Sequence, residues 1–268
     1  MKQILTLLSL FLTTLLTTNN QMQAQTCVGT ATLNVTINNC NTLVKVTAFL
    51  EGPFNTGSNQ MQTGLNFQPL IPTTQPYNTA PWNYAGTESY TGTLPTTVID
   101  WVLVELMNIV NNDNFTVQGR KAALLLSNGK IVDPTWTTNN AIDGVLFDGA
   151  FTGQTLSVAV RHRNHLAIVS ANPVALPNAT TVDLSIANNV MGGSAQLKLL
   201  GSEYCMLAGD YDANGTITVA DFNGYATESS GINNYFKADF NLDKNVTVAD
   251  FNLYKPNSSK IGVKPIRY

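Results

Sequence analysis

Apolar and polar residues alternate through much of the first two thirds of the chain. Ala31, Leu33, Val35 and Ile37 take every second position, and Val44, Val46, Ala48 and Leu50 do the same, which is the period of a strand with one buried face. Residues 98–106 form a denser apolar run that carries Asp100 and Glu105. Residues 122–126 and 130–132 flank Ser127-Asn128-Gly129, where Asn-Gly predicts a tight hairpin. Further short runs at 145–147, 156–169, 182–186 and 195–200 are separated by Gly, Asn and Pro. Strands of this length and spacing predict a mostly β fold, specifically an antiparallel Greek-key β-sandwich. Abundant Thr and Asn, with scarce Glu and Lys, agree with strands and polar turns better than with helices.

Residues 51–97 break this rhythm. They hold Pro53, Pro69, Pro72, Pro76, Pro81 and Pro95 and predict a long irregular excursion between strands, a kind of connection that usually carries function or mobility. Phe54, Phe67, Tyr77, Trp82, Tyr84 and Tyr90 lie in it. Exposed, such rings would stack on sugar or protein partners, with Trp82 and Tyr84 the candidates. Packed, they would cap one end of the sandwich core, which is the commoner fate of aromatics in a small sandwich.

After about residue 205 the pattern changes to two related twelve-residue segments. The first runs Asp210, Asp212, Asn214, Gly215, Thr216, Thr218 and Asp221 at positions 1, 3, 5, 6, 7, 9 and 12. Calcium takes six to eight oxygens, and a loop of this length supplies them from positions 1, 3, 5, 7, 9 and 12, with glycine at 6 for the turn. The second segment lies 29 residues downstream and offers Asp239, Asn241, Asp243, Asn245, Thr247 and Asp250 in the same slots. The flanks repeat as well: 218–223 recurs as 247–252, and Tyr225 recurs as Tyr254. Two calcium ions are therefore expected. Lys244 replaces the glycine of the second loop, which places a side chain in the left-handed region and a positive charge near the ion, so that site is expected to bind about tenfold less tightly. Apolar Ile217, at position 8, is expected to pair with the partner loop. One short helix follows each loop, with Phe222, Tyr225 and Ala226 at helical spacing in the first and Phe251 and Tyr254 in the second.

Charge and compartment narrow the function. Only 12% of residues are charged, the net charge is -3 and the pI is about 5.3, so no basic footprint for nucleic acid exists. Met1-Lys2-Gln3, the apolar run 4–16 and Ala24 read as a secretory signal peptide over residues 1–24. Thr13, Thr14, Thr17 and Thr18 interrupt the run before it reaches the length of a membrane anchor, and no membrane span is expected in the mature chain. Three cysteines remain. Cys27 and Cys40 can pair in an oxidising compartment and leave Cys205 alone, or all three are small buried apolar residues.

The duplicated loop-plus-helix with aspartate at position 12 resembles a type I dockerin over residues 208–261. It differs at Lys244, and Asn223-Gly224 and Asn252-Leu253 differ from the small hydroxylated pair of cohesin-binding dockerins. The preceding region also has a resemblance, carried by Phe49-Leu50-Glu51-Gly52-Pro53-Phe54, Pro81-Trp82-Asn83-Tyr84, residues 100–106 and residues 160–167. It is similar to a hemagglutinin-like module of secreted surface proteins of Gram-negative bacteria that runs into a calcium-loop tail. This implies a β-sandwich over residues 25–204, a small α-helical dockerin-like domain over 205–268, and surface attachment or recognition of an extracellular glycan or protein partner.

Candidate chemistry elsewhere centres on Arg161-His162-Arg163-Asn164-His165. In a strand, Arg161, Arg163 and His165 point one way while His162 and Asn164 point the other, so the histidines are not expected to share a metal. Arg161 and Arg163 either form an anion or acidic-sugar site or pair internally with Asp100 or Glu105; carboxylates in strands this apolar need partners, which favours the pairing. No nucleophile elbow, phosphate loop, dinucleotide fingerprint or zinc spacing occurs, and catalysis is not expected. The leading expectation is a secreted, non-enzymatic, calcium-binding recognition or adhesion module. Its rivals are a structural subunit of an extracellular fibre or matrix and a small polysaccharide-active enzyme.

Overall fold

The densest apolar run of the sequence becomes the centre of the main sheet. The computed structural model describes residues 41–135 and 143–268, which belong to one compact unit. Its strands are β1 (Thr42–Val44), β2 (Val46–Thr47), β3 (Phe54–Asn55), β4 (Gln60–Met61), β5 (Val98–Asn111), β6 (Asn114–Leu126), β7 (Ile131–Val132), β8 (Val145–Phe147), β9 (Thr155–Arg161), β10 (Ile168–Val169), β11 (Val174–Ala175), β12 (Val182–Asp183), β13 (Leu197–Leu200) and β14 (Glu203–Met206). The fold is mostly β. The expected strand around Ala31 to Ile37, the signal segment, Cys27 and Cys40 lie outside the described residues.

The main sheet is antiparallel in the order β10-β9-β5-β6-β7, with β11 also paired to β9. β5 is buried on both faces from Val98 to Met107, so both sides of the sheet are covered. The other paired strands among the described residues form separate two-stranded sheets, one of them the parallel pair β2–β12. A continuous second sheet does not form from strands only two to four residues long. Trp101 anchors the core: it is fully buried, its indole donates to Pro72 O at 2.8 Å, and its own carbonyl accepts from the Tyr77 hydroxyl at 2.7 Å. Burying a ring of this size stabilises by on the order of 4 kcal/mol in gross transfer terms.

These two bonds fasten the irregular 51–97 excursion to β5. Within it Tyr77 and Trp82 are buried and meet edge to face at 5.0 Å, and Tyr90 packs near Trp101. The rings cap the core, with the exception of Phe67, which is 83% exposed. The Asn128-Gly129 hairpin forms as expected: Leu126 N donates to Lys130 O, Gly129 N donates to Leu126 O, and Gly129 takes a φ of 81°.

Two elements differ from the sequence pattern. The β5–β6 hairpin runs on past residue 106 to a turn at Asn112-Asp113, where the Asn111 side chain accepts from Asp113 N and Asn114 N. That extension is largely exposed, although Met107, Ile109, Phe115 and Val117 carry the alternation along it. The run 156–169 is not one strand. After Arg161 the backbone leaves the sheet, and residues 164–166 lie instead against 207–209, with Leu166 N donating to Leu207 O and His165 bridging Ala208.

Past β14, where Cys205 is a buried free thiol, come two ten-residue helices, Val219–Glu228 and Val248–Asn257. Each starts on a capping box: Thr218 with Asp221, and Thr247 with Asp250. Such reciprocal bonds satisfy amides that the first turn leaves unpaired. Phe222, Tyr225, Phe251, Tyr254 and Phe240 pack between the helices. No described helix is long and apolar enough to cross a membrane.

Candidate metal centre

The capping boxes also build the two loops. In the first, Asp221 Oδ2 accepts from Thr218 N at 2.7 Å and its Oδ1 accepts from Asp212 N at 3.3 Å, closing the ring from position 12 back to position 3. Asp210 Oδ2 accepts from Gly215 N at 3.0 Å. Gly215 has a φ of 88°, and a Cβ on it would come within 2.9 Å of the Arg267 backbone. Glycine is therefore required here by both conformation and space. Asn214 Oδ1 accepts from the Thr216 amide and hydroxyl. Asp210, Asp212 and Asp221 each offer a carboxylate oxygen within 4.8 Å of the others.

Asp210 Oδ1 is buried with no hydrogen-bond partner. A buried, unpaired carboxylate oxygen is costly, and this one belongs to the residue at loop position 1. Burial, followed by the charge of Asp221, holds the Asp210 carboxyl well above the usual carboxylate range. Burial also raises Asp221. The donor set is all oxygen, acidic and clustered, which fits a hard divalent cation.

The second loop repeats the frame. Asp239 Oδ2 accepts from Lys244 N at 2.8 Å, and Asp250 accepts from Thr247 N, Phe240 N and Asn241 N. Asn241 Oδ1 accepts from Asp243 N, and Asp243 Oδ1 from Asn245 N. Lys244 adopts the left-handed φ of 76° that its position demands. Burial pushes Asp239 up to about 7 even against the opposing charge of Arg163, and burial raises Asp250. Asp210, Asp221, Asp239 and Asp250 are each at most 1% exposed. At position 9 the Thr218 and Thr247 hydroxyls act as helix caps, accepting from Ala220 N and Ala249 N.

Ile217 shares a buried apolar cluster with Phe240 of the partner loop, but its backbone pairs elsewhere. Ile217 exchanges backbone bonds with Ser259 and Lys260, beyond the second helix, and Val246 exchanges them with Ser230 and Gly231, beyond the first. The side chains cross in the same reciprocal way: Tyr225 donates to Thr247 O and Tyr254 to Thr218 O, both at 2.9 Å. Each loop is thus completed by the segment that follows the other loop's helix.

The arginine–histidine cluster is internal. Arg161 Nε donates to Glu105 Oε2 at 2.7 Å, and Arg163 Nε to Asp100 Oδ2 at 2.9 Å. Arg120 Nε lies 2.8 Å from the other Glu105 oxygen, an ion pair without hydrogen-bond alignment. Asp100 and Glu105 are five residues apart on one strand and face opposite sides of the sheet, so the two arginines do not form one anion site. Burial by itself would raise Asp100, but the Arg163 charge, with hydrogen bonds from His162 and Tyr235, holds it at about 2. The histidines, assigned to opposite faces by strand alternation, are instead adjacent, Nδ1 to Nδ1 at 3.1 Å. Alternation fails because the strand ends at Arg161. Burial lowers both histidines, and in His165 the neighbouring charges of His162 and Arg163 add to it.

Of the ring candidates, Trp82 is buried, and half-buried Tyr84 donates to Glu88 Oε1 at 2.7 Å. Sequence reasoning missed the residues that join the loops to the sheet. Asn164 Nδ2 donates to Lys237 O and Asp239 O, Arg163 donates to Phe236 O, and Glu51 Oε2 accepts from Ala208 N and Asn257 Nδ2. The one legible hint was Asn164 itself, a strand-averse residue in the polar stretch 161–165 of the expected strand 156–169.

No protein-family model and no curated protein matches this chain. Among solved structures it is similar to two interface mutants of a type II cohesin-X-dockerin complex from Acetivibrio cellulolyticus. The N-terminal interface mutant shares 20% identity over 60% of this chain and 82% of that chain, at a TM-score of 0.33. For the C-terminal interface mutant the figures are 18%, 59%, 82% and 0.31. Superpositions this loose fix neither fold nor partner, and the loops stand on their own geometry.

Proposed function

We propose that this chain is a secreted, calcium-binding, non-catalytic recognition module of the bacterial outer surface, a mostly β module built on one main antiparallel sheet with a dockerin-like pair of calcium loops. The observation that carries the calcium reading is the buried, partnerless Asp210 Oδ1 beside the carboxylates of Asp212 and Asp221. The side chains of Asp210, Asp212, Asn214 and Asp221 and the main chain of Thr216 would hold the first ion, with Asp239, Asn241, Asp243, Asn245 and Asp250 serving the second. A bound calcium supplies positive charge that like-charged neighbours buried together lack. Metal and fold are then linked, because only the folded loop gathers these oxygens.

The non-catalytic reading is supported by the fate of the titratable groups. Both histidines of the chain, with Asp100 and Glu105, are at most 1% exposed and bonded to one another or to arginine. A substrate has no access to them. The partner class is an extracellular glycan or protein. Calorimetric titration of the full chain with calcium tests the metal reading, with two ions taken up and a melting transition that chelator lowers; absence of uptake at millimolar calcium overturns it. A glycan array in calcium buffer, read for both binding and turnover, tests the rest, and turnover of any glycan refutes the non-catalytic assignment.

A further inference from the structure

Asn164 occupies an unusual place in the repeat. It lies on the connection between β9 and β10 and is completely buried. Its main-chain carbonyl accepts from Gly209 N at 3.1 Å, the residue just before the first loop's leading aspartate. Its side-chain Nδ2 donates to Asp239 O, on the second loop's leading aspartate, and to Lys237 O, both at 2.8 Å. In the 29-residue register Gly209 corresponds to residue 238, between the two carbonyls the amide holds. One residue therefore meets both loops at the same point of the repeat, with its backbone on one side and its side chain on the other.

The amide orientation is settled by its partners, since two main-chain carbonyls need donors and only Nδ2 supplies them. Oδ1 is then left facing His165 Nδ1 at 2.8 Å. His165 in turn abuts His162, and His162 abuts Asp100, which pairs with Arg163. Arg163 and Asn164 together hold the carbonyls of residues 236, 237 and 239. The backbone on which Asp239 hangs is thus fixed from the sheet, and so is the backbone one residue ahead of Asp210.

Resting on the calcium reading above, we infer that Asn164 is the positioning residue for both calcium loops and the link through which filling one loop favours filling the other. An ion in either loop fixes its leading aspartate and hence Asn164, whose remaining bonds define the start of the second site. Binding linkage of this kind is reciprocal.

The test is calcium titration of the full chain as three proteins: native, Asn164→Ala and Val104→Ala, the last a buried sheet position away from the loops. Asn164→Ala keeps the main-chain carbonyl on Gly209 N and loses both side-chain bonds, so the second loop is expected to weaken about tenfold, the size of one lost net hydrogen bond, and the first loop to weaken through the lost link, while Val104→Ala lowers the melting temperature and leaves both affinities in place. Native affinities in Asn164→Ala, a loss confined to one loop, or an equal loss in Val104→Ala overturns the inference. Should Asn164→Ala fail to fold, hydrogen exchange on the native chain decides: the Gly209 amide is expected to gain at least tenfold protection on calcium addition, and an unchanged rate overturns the assignment. A native chain that takes up no calcium overturns the function proposed above and this inference together, whereas the other adverse results leave that function standing.

Discussion

Two groups of buried carboxylates in this chain are balanced in opposite ways. On β5, Asp100 and Glu105 each meet a guanidinium, and the chain supplies its own countercharge. In the first loop Asp210, Asp212 and Asp221 stand together, and among the described residues no salt bridge reaches them. Both arrangements are hydrogen-bonded, yet Asp100 is held at about 2 by Arg163, whereas burial keeps Asp210 high. The difference separates a network that balances its own charge from loops whose proposed countercharge is a cation drawn from solution.

Removing the balance on the sheet is expected to have the largest effect. Asp100→Ala leaves Arg163 buried without its partner, a loss of about 3–5 kcal/mol, read by urea unfolding in calcium buffer; a loss below about 1 kcal/mol would make the network no stronger than a surface pair. Next is withdrawal of calcium. Chelation of a chain kept in calcium at about a hundred times the first loop's dissociation constant is expected to remove about 2.7 kcal/mol from that loop and about 1.4 kcal/mol from the weaker second loop, seen as a lower melting temperature. Asp210→Asn sharpens the contrast through its sign: in chelator it is expected to stabilise the chain by on the order of 1 kcal/mol as like-charge repulsion falls, and first-loop binding disappears. A destabilised Asp210→Asn in chelator breaks the comparison. Lys244→Gly relieves a side chain at positive φ and removes a charge beside the second loop, worth about 1 kcal/mol, or several-fold tighter calcium binding by titration.

The smallest effect concerns pH. His162 and His165 have folded-state values below the ordinary 6.5, so the unfolded chain takes up protons first. Their contribution is complete above pH 6.5 and is lost as pH falls below it. Asp100 follows: its contribution is present above the ordinary 3.8 and is lost as pH falls towards about 2. Calcium-loaded chain is expected to unfold more readily at pH 5 than at pH 7, and His165→Gln, which cannot be protonated, to show a shallower decline. Equal slopes would remove the histidines from the account.

Legibility in the sequence followed the range of the interaction. The alternation at Val44, Val46, Ala48 and Leu50 reports burial one residue at a time, and all four are buried. The loop spacing is local too, and residues 210–221 and 239–250 each form a hydrogen-bonded loop that runs into a helix. The pairing of Arg161 and Arg163 with Glu105 and Asp100 followed from a physical requirement, that apolar strands do not bury lone charges. What failed was long-range. Strand alternation beyond Arg161 put the two histidines on opposite faces, because nothing local announces that 164–166 abandon the sheet for 207–209. Ile217 was expected to pair with the partner loop, and no periodicity reveals that its backbone pairs with residues 259–260. Glu51 and Asn257, 206 residues apart, carry no shared pattern at all.

The crossed pairing of the two repeats sets a minimum unit. Ile217 is finished by a segment past residue 257, and Val246 by one before residue 232, so half of the duplication has an open backbone edge where its twin belongs. A fragment carrying one repeat has no way to close on itself, but two such fragments, or two whole chains that trade their last thirty or so residues, can close on each other.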